Sequence, residues 1–258
     1  MKKLMFSIYA LVCYLIFFAT FLYLVGFVQN ITHFAFAEEI AFLFPKTLDT
    51  GQSSFGLLPS VIVNLSIIAL FGIQHSGMAR PGFKEKWTKI VPKPIERSTY
   101  VLIASVMLII LFYFWQPIKI EIWNIRETPI GNAFLALSMV GWLLLFISTF
   151  IINHFHLFGL RQVYFYTQNN IASDKIEFQT PNLYRLVRHP LYLGFLMAFW
   201  FTPIMTVGHA LFTLGMTVYT FIGISYEEND LIRSFGEKYR SYRTQVPKII
   251  PFAKGTKK

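Results

Sequence analysis

The side chains best suited to chemistry flank one apolar region in the C-terminal third of the chain. The motif RHPLYLG occupies residues 188–194 in front of this region, and Glu227 and Glu228 stand behind it. A proline at the start of a helix leaves backbone groups unpaired, and irregular backbone at membrane depth is tolerated only inside protein or in a cavity wall. His189 and Tyr192 add an imidazole, a ring face and a hydroxyl. We therefore predict that the motif lines a ligand pocket.

The elements that must position these residues are membrane helices. Hydrophobic residues make up 55% of the 258 residues and charged residues 14%, which is too little polar surface to cover a soluble globule of this size. A run of about 20 apolar residues crosses the hydrocarbon core as a helix. Four segments are predicted to span, the third with some extension or tilt: residues 4–28, 57–73, 100–115 and 130–152.

A fifth apolar region, residues 191–225, is too long for one span and is interrupted by Pro203 and Gly208. Because a proline and a glycine inside an apolar run mark a break, we predict a tight helical hairpin here. An amphipathic helix is predicted to follow over residues 230–242, with acidic residues at its start that its dipole favours.

The predicted fold is all-α: a polytopic membrane helix bundle of four spans, the C-terminal apolar hairpin and the amphipathic helix. We treat residues 1–258 as a single membrane domain, with the N-terminal spans in 1–128 and the ligand-binding core in 129–258. The longest connection, residues 29–55, is expected to contain part of an interfacial helix and no chemistry.

Charge predicts the orientation of the bundle. Twenty of the 23 Lys and Arg residues lie at the N-terminus, in the loops over 80–97 and 161–188, and from residue 233 onward. The positive-inside rule therefore places both termini and these loops in the cytoplasm. The net charge of +10 reflects this topology and contact with anionic headgroups. A nucleic-acid partner is not expected, because the basic residues flank spans and no recognition motif accompanies them.

Two ordered patterns connect the chain to a known family. After Glu227 and Glu228 come FG at 235–236, Tyr239, Tyr242, VP at 246–247 and IP at 250–251. With the RHPLYLG motif, this order resembles the integral-membrane S-adenosylmethionine methyltransferases related to isoprenylcysteine carboxyl methyltransferase. In the N-terminal half, QHSGMARP at 74–81 and ERSTY at 96–100 narrow the resemblance to the bacterial methanethiol S-methyltransferases.

The resemblance implies a cofactor site for S-adenosylmethionine. Glu227 lies nine residues before Gly236, where the isoprenylcysteine enzymes place a glutamate that contacts the cofactor. The residues that match other cofactor-contacting positions, or lie within the same motif, are Gln162, Tyr184, Arg188, His189, Pro190, Leu191 and Tyr192. Residues 176–179 are a looser match.

One departure from the resemblance bears on the acceptor. Four residues before Glu227 the prenylcysteine enzymes carry an arginine for the substrate carboxylate, whereas this chain has Gly223. A carboxylate acceptor would lose its charge-assisted hydrogen bond. The departure favours a neutral or small acceptor, and it leaves a thiol and the amine of a phospholipid headgroup both open.

A thiol acceptor reacts as its thiolate, so the site needs a proton acceptor. The candidates are histidines near predicted cytoplasmic helix ends, because an unperturbed histidine pKa suits general-base duty near neutrality. His75 is the first choice because it lies in the QHSGMARP motif, and Arg80 of that motif is a candidate to lower a thiol pKa or to bind the cofactor carboxylate. His154 and His156 are the alternatives. No metal is expected, because the sequence around these histidines lacks Cys or acidic residues at ligand spacing.

The function predicted from this resemblance is methyl transfer from S-adenosylmethionine to methanethiol, giving dimethyl sulfide, at the inner membrane. The alternative enzymes are a phospholipid N-methyltransferase and an isoprenylcysteine-type carboxyl methyltransferase. The alternatives outside catalysis are a membrane transporter and a heme-associated subunit. Against a transporter, no ionisable residue lies at the middle of a confident span, where a translocation path would need one. The predicted partners are a small thiol and the lipid bilayer, and the sequence leaves the oligomeric state open.

Overall fold

The structure, a computed structural model, describes residues 1–169 and 180–253. The described chain is almost entirely helical, as predicted. Its helices, in chain order, are α1 (Lys2–Val28), α2 (Leu57–Met78), α3 (Pro81–Trp87), α4 (Lys93–Phe114), α5 (Pro129–Ile152), α6 (His154–Leu157), α7 (Leu160–Thr167), α8 (Pro190–Trp200), α9 (Val207–Phe235) and α10 (Glu237–Gln245). Two short strands, β1 (Glu121–Asn124) and β2 (Ile204–Thr206), complete it, together with 3₁₀ turns at Ile31–His33, Ala35–Leu43 and Asn182–Arg185.

Five of the described helices are long and apolar enough to cross a membrane: α1, α2, α4, α5 and α9. The four predicted spans are confirmed, and the chain is an integral multi-pass membrane protein. The third span, predicted over residues 100–115, begins earlier, at Lys93. The cause is local, because Pro94 stands in the first turn, where its missing N–H costs no hydrogen bond.

The apolar hairpin has two unequal helices. The first, α8, has 11 residues and is about 16 Å long, about half the thickness of the hydrocarbon core. The chain then leaves the helical conformation around Pro203 and enters the 29-residue α9. The indole Nε1 of Trp200 donates to Oγ1 of Thr217 at 3.1 Å, so the chain turns back on itself as predicted.

The end of the hairpin differs from the prediction. Glu227 and Glu228 lie inside α9, which continues to Phe235, and the predicted helix over 230–242 is divided by Gly236. Gly236 has a φ of +57°, which a residue with a Cβ rarely adopts, so α9 ends here and α10 starts in a new direction. The two glutamates are therefore held on a rigid helix.

By internal contacts the chain falls into two compact units. Unit 1 contains residues 1–124, 154–169 and 204–215 of the described chain, and unit 2 contains 125–153, 180–203 and 216–253. In unit 1, α1 packs against α4 and α7, and α2 packs against α4. Aromatic rings fill this core, with Phe27 4.8 Å from Phe112 and Trp115 5.8 Å from Phe212 between ring centroids.

Unit 1 also contains a buried polar network that joins the connection between α1 and α2 to β2. Asn30 donates to Asp49 at 2.8 Å and accepts from the Asp49 backbone N–H at 2.9 Å. Thr206 Oγ1 donates to the second Asp49 oxygen at 2.7 Å. β2 in turn pairs antiparallel with β1. The connection predicted to carry no chemistry is thus a folded structural element.

Unit 2 is organised by a close crossing of α5 and α8. A Cβ added at Gly141 would lie 2.6 Å from the backbone N of Ala198, and one added at Gly194 would lie 2.7 Å from the carbonyl oxygen of Gly141. Ser138 Oγ donates to the Ala198 carbonyl at 2.9 Å. Small residues let the two backbones approach, as is typical of helix pairs in membranes. The crossing fixes the start of α8, where the RHPLYLG motif lies.

Candidate functional site

Arg188 is the most deeply enclosed charge of unit 2, with 2% of its surface exposed. Its Nε and Nη2 lie 2.9 and 2.8 Å from Oε1 of Glu228, and its Nη1 donates to the carbonyls of Arg243 and Val246 at 2.8 and 2.7 Å. All three guanidinium nitrogens are therefore engaged by protein groups. Because a buried ion is stable only when paired and hydrogen-bonded, this arrangement compensates the burial of both charges.

The backbone of the motif is paired in the same way. The N–H of Arg188 donates to the carbonyl of Pro247 at 2.9 Å, and that of His189 donates to the carbonyl of Lys248 at 3.2 Å. Pro190 occupies the first turn of α8, where it needs no donor of its own. The segment after α10 thus satisfies the backbone groups in front of α8 that the sequence left without partners.

His189 lies between the two carboxylates of α9. Its Nε2 is 3.2 Å from Oε1 of Glu228, and its Nδ1 is 3.7 Å from Oε2 of Glu227. Because an ionised Glu228 can only accept, Nε2 of His189 is the donor in this hydrogen bond. The other nitrogen, Nδ1, faces the Glu227 carboxylate. Glu227 keeps 46% of its side chain exposed, so its carboxylate is accessible to a hydrogen-bond donor or a cation.

Three tyrosines surround this charge cluster. Burial raises the pKa of Tyr242 to about 12. Burial also raises the pKa of Tyr184 and of Tyr239 far above the usual range, with the charge of Glu227 adding to the effect at Tyr184. The Tyr242 hydroxyl donates to the backbone carbonyl of Tyr184. The phenols therefore stay protonated at neutral pH and offer hydrogen-bond donors rather than bases.

The remaining residues of the motif form one side of the cluster. The Tyr192 ring centroid lies 5.7 Å from that of His189. The hydroxyl of Tyr192 would lie 3.7 Å from a Cβ at Gly223, so both belong to one neighbourhood. Pro190 is buried and Leu191 is half-buried. The structure thus brings together the predicted site residues of unit 2, which are Glu227 and those between Tyr184 and Tyr192. It also shows that Glu228, which was not predicted, belongs to the same cluster.

Two predicted site residues belong to unit 1. His75 lies near the end of α2, where its ring is 5.4 Å from Phe71 and 5.3 Å from Tyr100. The Tyr100 hydroxyl donates to the His75 carbonyl at 3.1 Å. Gln162 lies in α7, and its Nε2 donates to the carbonyl of His156 at 3.0 Å. Residues 176–179 lie outside the described residues.

The alternative base His154 is held by a specific partner. Its ring is 3% exposed, and its Nε2 lies 2.9 Å from the Tyr14 hydroxyl. Burial lowers the pKa of His154, which favours its neutral form. These contacts give His154 a structural role at the junction of α1 and α6. His75, by contrast, lies beside Tyr100 and the cation of Arg97, whose Cζ is 4.8 Å from the Tyr100 ring centroid.

Comparison with known proteins decides the family. The chain is 47% identical over 245 residues to methanethiol S-methyltransferase 1 of Bradyrhizobium diazoefficiens, covering 95% of this chain and 81% of the relative. It is 43% identical over 252 residues to the methanethiol S-methyltransferase of Mycobacterium tuberculosis, covering 98% of each chain. The chain belongs to the methanethiol S-methyltransferase family.

A more distant likeness extends beyond this family. The chain is 29% identical over 167 residues to Nurim of Xenopus laevis, covering 61% of this chain and 57% of the relative. No family model matches the chain, and no solved structure matches it. The methanethiol S-methyltransferase family is therefore identified through full-length relatives, which confirms the resemblance read from the two motifs.

For this methanethiol S-methyltransferase family member, sequence reasoning missed the residue at the centre of the charge cluster. Glu228 was expected to stabilise a helix start, whereas it lies inside α9, is 4% exposed, and contacts both Arg188 and His189. Arg243 also approaches its second oxygen, at 3.7 Å. The sequence did contain a sign of this role. Two consecutive acidic residues follow the apolar region, and a pair of carboxylates at the end of a span suggests that at least one of them has a cationic partner.

Proposed function

We propose that this chain transfers a methyl group from S-adenosylmethionine to methanethiol, giving dimethyl sulfide and S-adenosylhomocysteine. Membership in the methanethiol S-methyltransferase family supports the acceptor. The observation that carries the proposal is the pair of carboxylates on α9. Glu228 neutralises buried Arg188, whereas Glu227 is half exposed beside an imidazole nitrogen. A site of this composition suits a cationic ligand that carries hydrogen-bond donors.

The residues that would hold S-adenosylmethionine are Glu227, His189, Tyr184 and Tyr192, with Pro190 and Leu191 as apolar wall. Their chemistry fits, because Glu227 can accept from an ammonium or hydroxyl group, and Nδ1 of His189 can accept from an amine. The rings of Tyr184 and Tyr192 offer faces that attract the positive charge of a sulfonium. When bound, the cofactor supplies an electrophilic methyl group on a positively charged sulfur. Gln162 of α7 remains a proposed further contact.

Arg188 we assign to positioning rather than to the ligand. Its guanidinium is engaged by Glu228 and by two carbonyls of the C-terminal segment. Through Glu228 it fixes the ring of His189, which shares the same carboxylate oxygen. Arg188 directly precedes His189 in the RHPLYLG motif, so it can hold the imidazole in one orientation while its own donors bind protein groups.

The composition around Gly223 supports a neutral acceptor. In the prenylcysteine enzymes that this chain resembles, the matching position is an arginine that binds the substrate carboxylate. In this chain, a Cβ added at Gly223 would lie 3.7 Å from the uncharged hydroxyl of Tyr192. An anionic acceptor would be repelled by the carboxylate of Glu227, one helical turn after Gly223. A carboxyl methyltransferase is therefore disfavoured, and a small thiol fits.

We propose His75 as the base for the thiol proton. In the reaction the thiol loses its proton to a ring nitrogen of His75, and the sulfur forms a bond to the methyl carbon. Bound S-adenosylmethionine would supply this methyl carbon and would leave as S-adenosylhomocysteine, which keeps the electron pair of the broken C–S bond. Positive charge disappears from the sulfonium, so the protein gains rate mainly by holding the reactants in line.

The proposed orientation follows from the charge distribution. We place both termini and the basic loops over 80–97 and 161–188 on the cytoplasmic side of the inner membrane. The lysines and arginines of α3 and of α10 lie in these cytoplasmic regions. The cofactor would then reach Glu227 and His189 from the cytoplasmic side.

Product analysis tests the proposed function. Membranes carrying the protein are supplied with methanethiol and S-adenosylmethionine, and the headspace is analysed for dimethyl sulfide. Calorimetry on detergent-solubilised protein measures cofactor binding in parallel. We expect dimethyl sulfide from the wild type and weaker cofactor binding for His189→Ala, Tyr192→Ala and Glu227→Ala. Membranes that bind the cofactor but yield no dimethyl sulfide would contradict the acceptor assignment, and wild-type affinity in all three variants would contradict the cofactor site.

A further inference from the structure

A cluster of aromatic and thioether side chains in unit 1 has no role in the proposal so far. Met78 and Tyr100 are buried and pack with three partly buried rings, those of Phe17, Trp87 and Phe158. The rings of Phe17 and Phe158 stack with a centroid separation of 3.9 Å. We call these five residues the aromatic cluster. They come from α1, α2, α3, α4 and the residue after α6, so five elements of unit 1 hold the cluster.

Two polar atoms at this cluster are buried without hydrogen-bond partners among the described residues. They are Oε1 of Gln74 and Nε1 of Trp87. The Nε2 of the same Gln74 lies 3.0 Å from the sulfur of Met78, which fixes the amide at the edge of the cluster. Buried polar atoms in folded proteins nearly always have partners, so two exceptions together need an explanation. An oxygen that can accept from S–H and an N–H that can donate to a thiolate are the complement of a thiol.

The aromatic cluster is continuous with the proposed base and with nearby cations. The Tyr100 ring is 5.3 Å from that of His75 and lies 4.8 Å under the guanidinium of Arg97. In α3, burial lowers the pKa of Lys84; the charges of Arg97 and Arg80 add to this effect and that of Glu96 opposes it, so three cations and one carboxylate interact here. Nearby cations stabilise a thiolate relative to a thiol.

We propose that the aromatic cluster binds the acceptor thiol, and that the Phe17–Phe158 stack limits the acceptor to a small alkanethiol. The inference rests on the proposed function and names the residues that recognise its acceptor. Apolar rings and the Met78 thioether match the short alkyl group and the polarisable sulfur of the substrate. The stacked pair closes the space that a longer alkyl chain would need.

Acceptor preference in enlarged variants tests the proposal. Phe17→Ala and Phe158→Ala are compared with wild type for methanethiol, ethanethiol and 1-butanethiol, each thioether product being measured in the headspace. Because one methylene in an apolar pocket changes kcat/KM by roughly 10- to 200-fold, the ratio of kcat/KM for 1-butanethiol to that for methanethiol should rise by at least about tenfold in each variant. Phe6→Ala is the matched control, since Phe6 lies on the same helix and packs 5.4 Å from Tyr166.

The controls separate the possible failures. Cofactor affinity measured by calorimetry should stay unchanged in Phe17→Ala and Phe158→Ala, and Phe17→Leu serves as the smaller change if the alanine variant does not fold. Trp87→Phe should raise KM for methanethiol, because it removes the N–H donor and part of the ring that packs against the cluster. Wild type that makes no dimethyl sulfide would sink the proposed function itself. The other outcome concerns the acceptor site alone. If wild type makes dimethyl sulfide, and the 1-butanethiol to methanethiol ratio of kcat/KM is the same in Phe17→Ala, Phe158→Ala and Phe6→Ala, the aromatic cluster is not the acceptor site.

Discussion

The guanidinium of Arg188 and the carboxylate of Glu228 meet 40 residues apart in sequence, with Nε 2.9 Å from Oε1 and both side chains buried. Removing one partner of a buried ion pair leaves an uncompensated charge, which costs about 3 to 5 kcal/mol. We therefore expect Glu228→Gln to lower the thermal unfolding midpoint strongly. Glu227→Gln is the matched control, because Glu227 is half exposed. It should keep the midpoint and lose cofactor affinity, and equal midpoints for the two variants would contradict this division of roles.

The second prediction concerns the close crossing of α5 and α8. Gly141→Ala should destabilise unit 2 by about 1 to 3 kcal/mol, because the new Cβ meets backbone atoms of α8 that cannot move independently. Gly77→Ala in α2 is the control, since a Cβ there meets nothing within 4 Å in the described residues. It should be neutral or stabilise by about 0.5 to 1 kcal/mol. Unfolding followed by thermal shift in detergent compares the two, and equal shifts would argue against the close crossing.

The third prediction concerns the base. His75→Ala should lower turnover by about 10² to 10⁴, the loss typical when a general base is removed, with cofactor affinity nearly unchanged. Raising the pH should restore part of the rate, because thiolate then forms in solution without help. His154→Ala is the comparison, since that histidine is held by Tyr14. Any rate that it loses should not recover with pH, and a His75 variant with normal rates at every pH would leave His75 a structural residue.

The buried carboxyl of Asp49 predicts a pH dependence of stability. Burial raises the pKa of Asp49 from 3.8 to about 6, against the opposing hydrogen bonds from Thr206 and Asn30. The folded state thus holds this proton at pH values where the unfolded chain has released it. The free energy of unfolding should fall by about 2 kcal/mol from this group as the pH rises from about 4 to about 6, and level off above about pH 7.

Asp49→Asn isolates this contribution from those of other groups. The amide can still accept from Asn30, and the Thr206 hydroxyl can turn to accept from it. Thermal unfolding of wild type and variant is measured between pH 4 and 8. The wild type should lose stability relative to the variant between pH 4 and 6, and parallel curves would show that Asp49 titrates normally.

Orientation can be measured by labelling single cysteines on a Cys13→Ala background. Lys86→Cys in α3 and Ile250→Cys after α10 should react only with reagents that reach the cytoplasm. Asn124→Cys in β1 and Glu127→Cys before α5 should react from the outside, since all four positions are exposed. Reaction of position 250 from the outside would mean that the α8–α9 region crosses the membrane once and does not return.

The membrane helices could be predicted from sequence because hydrophobic length is a local property. The four spans and the break at Pro203 needed no knowledge of neighbouring elements. The end of α9 was misplaced, because Glu227 and Glu228 were read as a helix start, while the stop is set by the positive φ of Gly236. The motif around Pro190 likewise drew attention to the segment in which Arg188 and His189 contact Glu228.

What the sequence could not supply is which side chains meet. Consecutive residues of a helix point about 100° apart, so the assignment of Glu228 to Arg188 and of Glu227 to the open side depends on the rotation of α9. Nothing local fixes that rotation. The pairing of Asn30 with Asp49 across 19 residues, and of Thr206 with Asp49 across 157, was hidden for the same reason.

The hydrogen bonds from Arg188 to the carbonyls of Arg243 and Val246 have a consequence for biosynthesis. These partners lie 55 and 58 residues downstream and follow α9 in the chain, so they are synthesised after every described membrane helix. The motif around His189 therefore gains these hydrogen bonds only after the last described membrane helix has been synthesised. A chain that stops after Phe235 should integrate normally yet remain without a competent site, so membrane assembly and enzyme maturation are separate events in its synthesis.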